Sequence, residues 1–285
     1  MAIQNANFMK GGEMKTLRTW VLFLAIGSMM FGCATVPITG RTQLNMVSDS
    51  SILSMSLQQY DEFLKTHTLS SDAQNTALVK QVGRRIQRAV ETYFQQQGMA
   101  AELEHYRWEF NLVEGPEVNA WCMPGGKVVV YTGILPITQD EAGLAVVMGH
   151  EIAHAVAKHG NERMSQALAI QMGGVALSVA LADKGVQTRN LAMAAFGAGA
   201  TVGILLPYSR LHESEADEMG LIFMAMAGYD PHASLSFWQR MAAQKGAKKK
   251  PPEFLSTHPS DAKRIEDIRR MIPKAMAYYR PGGVP

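Results

Sequence analysis

The sequence predicts a mainly helical α+β fold with a small β-sheet. Three observations lead there: long helical periodicity before residue 100, a short alternating stretch near residue 110, and a strongly apolar helical run centred on residue 150. With 285 residues, 47% hydrophobic and 18% charged, the chain can build one domain with a real core and is too apolar to be disordered. A net charge of +2 with scattered basic residues excludes a nucleic-acid footprint. The one basic run, Lys248 to Lys250, sits beside Pro251 and Pro252 and reads as a solvated loop.

At the N-terminus, Lys15 and Arg18 precede an apolar stretch from Trp20 to Ile26 and then small residues up to Gly32-Cys33. This is the shape of a lipoprotein-type signal peptide over residues 1–32, with Cys33 as the residue that takes the lipid. Residues 33–49 show no period and are expected to be a lipid anchor and tether, with a single domain over 50–285. Ala34 after the cysteine resembles the bacterial sorting signal for the outer membrane, which implies a periplasm-facing lipoprotein of the cell envelope. With Cys33 lipidated, Cys122 has no partner, so no disulfide is expected.

Helical patterns from about Ser50 to Leu64 and from Ser71 to Gln97 read as scaffold helices. Trp108, Phe110 and Leu112 then alternate with polar residues. Segments 119–123 and 127–131 flank Pro124-Gly125-Gly126, which predicts a hairpin in a small sheet.

The chemistry begins on the next helix. Thr138 with Glu141 three residues later reads as a capping box at its start, and His159-Gly160 reads as its stop. Between them lies His150-Glu151-Ile152-Ala153-His154. Residues four apart on a helix stand one above the other, so both imidazoles can grip one tetrahedral ion, and Glu151 is placed as a general base toward water activated there. The surrounding positions are almost all apolar, and burying two histidines and a glutamate among them without a cation would be costly.

A catalytic zinc needs a third protein ligand and an open position. In the run from Ser209 to Asp217, Glu213 and Asp217 share a helix face while Glu215 turns nearly opposite. Glu213 is the expected ligand, with Asp217 behind it accepting the far N–H of a ligand histidine.

Taken together, these residues resemble the HtpX-like and CAAX-prenyl-protease-like gluzincins, metallopeptidase family 48, particularly bacterial periplasmic lipoproteins of the BepA and LoiP type. The resemblance rests on Asn119-Ala120, Pro124-Gly125-Gly126, His150-Glu151 with His154, Ser209-Arg210 with Glu213, Ala216-Asp217, Gly220, Thr257-His258-Pro259 and Arg264-Ile265. It implies a zincin-like metallopeptidase fold, one Zn2+ per chain, and Glu213 as third ligand. It also places His258 near the metal, either stabilising the oxyanion or occupying the open position and holding the enzyme latent; a surface histidine capping the last helix is the alternative. The tetratricopeptide array of BepA-like proteins is not expected here. His67, His105, His159, His212 and His232 show no ligand spacing and are expected to be structural or exposed.

The expectation is therefore a zinc endopeptidase acting on unfolded or misassembled envelope proteins, with a chaperone-like assembly factor carrying a latent or structural zinc as the rival. The strand Asn119, Ala120, Trp121 could pair with an extended substrate, or be an ordinary sheet strand. The apolar stretches Leu168 to Ala182 and Leu191 to Leu206 are each short for a membrane span, and are expected to pack over the site or touch a membrane surface; a transmembrane hairpin, as the resemblance to integral membrane relatives implies, is the alternative. Nothing in the sequence fixes the oligomeric state.

Overall fold

The computed structural model describes residues 33–244, 252–259 and 262–284. The expected signal peptide over 1–32 and the basic run Lys248 to Lys250 lie outside the described residues. Strands β1 (Cys33–Thr35) and β2 (Thr42–Leu44) pair antiparallel. Helix α1 (Asp49–Thr66) is capped by Ser48, whose side chain accepts from Ser51 N, and α2 (Ala73–Gln96) is capped by Asp72 in the same way. Both lie within two residues of the sequence expectation.

Residues 33–49, expected to be a tether, instead fold back onto the domain. Val36 is buried in the core and Arg41 reaches between two buried carboxylates. No local period announces this, because the partners of Arg41 lie more than 120 residues away.

The alternating stretch forms β3 (Glu109–Val113), and the hairpin forms β4 (Ala120–Met123) and β5 (Lys127–Tyr131). The order is β3-β5-β4, with β5 parallel to β3 and antiparallel to β4, so β4 is an edge among the described residues. A short helix, α3 (Leu135–Thr138), leads into α4 (Glu141–Val156), of which every residue from Gly143 onward is buried. The cap is Asp140, accepting from Gly143 N at 2.7 Å, which corrects the assignment to Thr138. Thr138 ends α3, and Gln139 turns the chain with φ 68. The helix stop is also earlier than expected. Lys158 takes the left-handed conformation (φ 58), and His159 opens the next helix, α5 (His159–Ala180), rather than closing the last one.

A continuous helical stretch follows from Val186 to Met226: α6 (Val186–Ala200), a π turn over 201–205, and α7 (Leu206–Met226). It corrects the expectation that these segments pack over the site, the first of the two arrangements expected for them. Here α5 and α6 pack on one another, with Phe196 against Gly173 and Gly174, and most of their apolar surface is exposed. The remaining helices are α8 (Ala233–Ala243), α9 (Glu253–Thr257) and α10 (Ala262–Met276).

Helices α4 and α7 cross at Gly149 and Gly220. A Cβ on Gly220 would stand 2.9 Å from His150 N and 3.0 Å from Gly149 C, which are backbone atoms that cannot yield without moving a helix. Gly220→Ala should therefore lower stability by about 1–3 kcal/mol despite alanine's better helix propensity. Urea unfolding checks this, and an unchanged midpoint would show that the crossing has slack.

Candidate metal centre

Three elements bring the centre together. Helix α4 supplies His150, Glu151 and His154, α7 supplies Glu213 and Asp217, and the C-terminal end of α9 supplies His258. His150 Nε2 lies 3.1 Å from His154 Nε2 and 3.1 Å from His258 Nδ1. The Glu213 carboxylate is 3.4 Å from His150 Nε2, 3.3 Å from His154 Nε2 and 3.0 Å from His258 Nδ1. Ligand atoms about 2.0–2.1 Å from a tetrahedral ion stand about 3.3 Å apart. The separations fit one zinc-sized cation.

The hydrogen-bond network sharpens that fit. His159 is neutral at pH 7, because burial pushes its pKa down to about 4 against the opposing bond with Glu215. Its Nε2–H donates to Glu215 at 3.2 Å, leaving Nδ1 as an acceptor 2.9 Å from His154 Nδ1. His154 must then donate from Nδ1, and burial keeps that ring neutral too, so its Nε2 presents a lone pair to the centre. His150 donates from Nδ1 to Asp217 Oδ1 at 3.0 Å, turning its own Nε2 to the same point. Two ring nitrogens and a carboxylate thus converge where only positive charge relieves them.

The electrostatics agree. Burial disfavours charge on His150, yet the bonds with Asp217 and Glu213 win and raise its pKa to about 9, so without an ion this ring holds the proton whose place a cation would take. Burial likewise opposes ionisation of Glu213, but the three histidines hold its carboxyl far below the usual range. Glu151 moves the other way. Burial raises its pKa, and its Oε1 has no hydrogen-bond partner, with His258 Nε2 3.4 Å away.

Sequence reasoning brought His150, Glu151, His154, Glu213, Asp217 and His258 to this centre, and the structure gathers all six. Cys33 is exposed at the start of β1, remote in sequence from the cluster. Among the other histidines, His67, His105 and His232 are exposed, whereas His159 and His212 are buried behind the site. His212 bonds Glu162 at 2.7 Å, and Arg41 joins Glu162 and Glu215 into one ionic network that ends on His154 through His159.

Arg264 is the residue whose place the spacing did not reveal. Its guanidinium forks onto both oxygens of Asp217 at 2.8 Å, lies 3.0 Å from Glu213, and stacks 3.6 Å over Trp238. It holds the two acidic side chains of α7 in place from α10. The only signal was its membership of the C-terminal motif.

Alongside His154 runs a cleft of about 470 Å3, lined by Ile52, Leu53, Tyr106, Cys122 and Met123 among others. It abuts the C-terminal end of β4. Asn119 accepts a backbone bond from Tyr131, Ala120 is buried, and Trp121 packs edge-on against Phe63.

The sequence profile of peptidase family M48 matches residues 80–272, which include all six clustered residues and Arg264, the sheet of β3 to β5 and most of α2 and α10, but not the N-terminal hairpin or α1. The chain belongs to peptidase family M48. Among curated relatives it is 36% identical to the mitochondrial metalloendopeptidase OMA1 of Schizosaccharomyces pombe, over 84% of this chain and 66% of that protein. It is 32% identical to the mitochondrial metalloendopeptidase OMA1 of Homo sapiens, over 90% of this chain and 51% of that protein. The β-barrel assembly-enhancing protease of Yersinia pestis is 33% identical over 57% of this chain and 34% of its own length. The chain therefore spans about half to two thirds of the length of these mitochondrial relatives, and the bacterial match covers less of it. Within family M48 the fold expectation holds: a mainly helical domain with a small sheet, arranged around a His-Glu cluster able to hold a metal.

Proposed function

We propose that this chain is a zinc-dependent endopeptidase with one zinc per chain, held by His150, His154 and Glu213. The observation that carries it is the convergence of two ring nitrogens and one carboxylate at separations matching a tetrahedral ion, with a buried carboxyl, Glu151, beside them. The relatives named as metalloendopeptidases support the same reading.

A zinc ion bound there supplies the Lewis acidity that activates water and polarises a peptide carbonyl. Glu151, its pKa raised by burial, takes the proton of the attacking water and passes it to the leaving amine. Asp217 fixes the tautomer of His150, His159 that of His154, and Arg264 steadies Asp217 and Glu213. The free edge of β4 at Asn119, Ala120 and Trp121 is suited to an extended peptide, whose backbone it would bond and whose side chains would enter the cleft by His154. Such readout favours unfolded or misassembled proteins, because only they offer an unpaired strand.

His258 stands with Nδ1 among the ligand atoms. In this position its ring closes the fourth corner and keeps the site latent; withdrawn from it, the ring can donate a hydrogen bond to the developing oxyanion. That closure favours, as the second reading, a chaperone-like assembly factor with a latent zinc. The exposed Cys33 supports attachment to a membrane by lipid, and the β-barrel assembly-enhancing relative supports an envelope, outer-membrane setting.

The test is removal of one ligand. Glu213→Ala should lose bound zinc by elemental analysis and lose cleavage of casein, while the parent chain loses activity to EDTA and regains it with zinc. Full zinc occupancy in the variant would place the metal elsewhere.

A further inference from the structure

We infer that Arg41, on the N-terminal hairpin, is a positioning residue for the metal ligand His154, acting through Glu215 and His159 from more than a hundred residues upstream. The inference rests on the zinc centre proposed above. Membership of family M48 does not assign it, because Arg41 lies outside residues 80–272. The two ligand histidines are steadied in different ways. His150 meets a carboxylate directly, at Asp217, whereas His154 meets one through a second ring: its Nδ1 lies 2.9 Å from His159 Nδ1, and His159 Nε2 lies 3.2 Å from Glu215. The hairpin holds the carboxylate at the end of this relay. Thr39 Oγ1 and Arg41 Nε donate to Glu215 Oε1, and Arg41 Nη2 donates to Glu215 Oε2, each at 2.9 Å. The same guanidinium donates to both oxygens of Glu162, at 2.8 and 2.6 Å.

A second arm closes on the same ring. Glu162 bonds His212 at 2.7 Å, and His212 stacks on His159 with centroids 4.3 Å apart and planes 13° from parallel. His159 is therefore fixed along its edge by Glu215 and across its face by His212, and one arginine orients both carboxylates. The backbone is arranged to suit. Val36, buried in the core, donates its N–H to the Arg41 carbonyl at 2.8 Å, which pins Arg41 beside the hairpin turn. At the other end Lys158 takes φ 58, a left-handed conformation uncommon outside glycine, and Asp49 and Glu102 hold its ammonium at 2.8 and 2.6 Å. That turn aims His159 back at His154. Stability alone does not call for this arrangement, since apolar side chains of like volume often serve as well as a buried ion pair. Directing a ligand does call for it, because the orientation of the ring decides where its Nε2 lone pair points.

The experiment follows zinc release from the full zinc-loaded chain, read as transfer to an excess of a chromophoric chelator. Arg41→Lys keeps the charge and loses the fork, so it separates orientation from the electrostatic field. It should release zinc about ten times faster than the parent, the lower end of the range for groups that orient a ligand. Val113→Ala is the control: Val113 is buried in a small cluster separate from the core around α4, so this variant should unfold at lower urea yet release zinc at the parent rate. A parent rate in Arg41→Lys overturns the proposal, and so does an equal acceleration in Val113→Ala, which would reflect general loosening. A parent that takes up no zinc overturns the metal reading and this inference with it, and elemental analysis of the parent separates that result from a failure of the inference alone. In the unaltered zinc-loaded chain, NMR of isotope-labelled histidine rings should find the proton on Nδ1 of His154 and on Nε2 of His159. The opposite tautomer at His159 overturns the proposal with no variant that could misfold.

Discussion

Glu151→Gln should keep its zinc and lose peptide-bond cleavage by a factor of about a hundred to ten thousand, the range that a positioned general base supplies. The amide is nearly the same size, and no ligand atom changes, so metal content and the α4–α7 crossing should be unaltered. What disappears is the capacity to accept and return a proton. In the parent chain that carboxyl has its pKa raised by burial, the direction that brings a base toward neutral working pH. The measurement is casein cleavage beside zinc content for both proteins. A variant that cuts as fast as its parent removes Glu151 from the mechanism. A zinc-loaded parent that does not cut at all favours the latent, assembly-factor reading.

The second large effect is on stability. Arg41 bonds Glu162 at 2.6 Å and Glu215 at 2.9 Å, and those carboxylates are 1% and 5% exposed. Arg41→Ala leaves two buried anions, Glu162 bonded to His212 and Glu215 bonded to His159 and the Thr39 hydroxyl, so a loss of about 3–5 kcal/mol is expected, nearer the lower figure because Arg41 itself is partly exposed. The pH dependence identifies the cause. Burial alone would raise both carboxyls, but the Arg41 and His212 bonds on Glu162, and the His159 and Arg41 bonds on Glu215, lower each to about 2 from 4.5. Stability from a depressed carboxyl is fully present above its unfolded pKa and is lost as pH falls from about 4.5 through about 2. In the variant these pKa values rise, so the gap between parent and variant should narrow on acidification. Urea melts of the EDTA-treated proteins between pH 7 and pH 3 measure it, and a gap that widens toward acid would show that the network does not act through ionised carboxylates.

Much of this protein was legible in its sequence because the determining interactions are local. His150, Glu151 and His154 share a helical face by spacing alone, and so do Glu213 and Asp217. The helices over 49–66 and 73–96 and the hairpin at 120–131 follow from periodicity and turn residues. The errors fell at boundaries where two signals competed. Asp140 took the cap from Thr138 because Gly143 lies closely against the Thr138 carbonyl, leaving no room for a Cβ there. Lys158 adopted the left-handed turn one residue before the apparent stop, which is what aims His159 back at His154.

What the sequence determined by itself is the kind of chemistry available: which side chains present themselves together on one helix, and that they are of the types able to hold a cation. What only the tertiary structure decided is everything that joins residues far apart in the chain. Arg264 on Asp217, Arg41 between Glu162 and Glu215, His159 behind His154, and the exposure of an apolar hairpin expected to be covered all depend on how helices cross. A spacing rule reports the neighbours along one helix, whereas packing sets the neighbours between helices, and the crossing at Gly149 and Gly220 is where that second set was fixed.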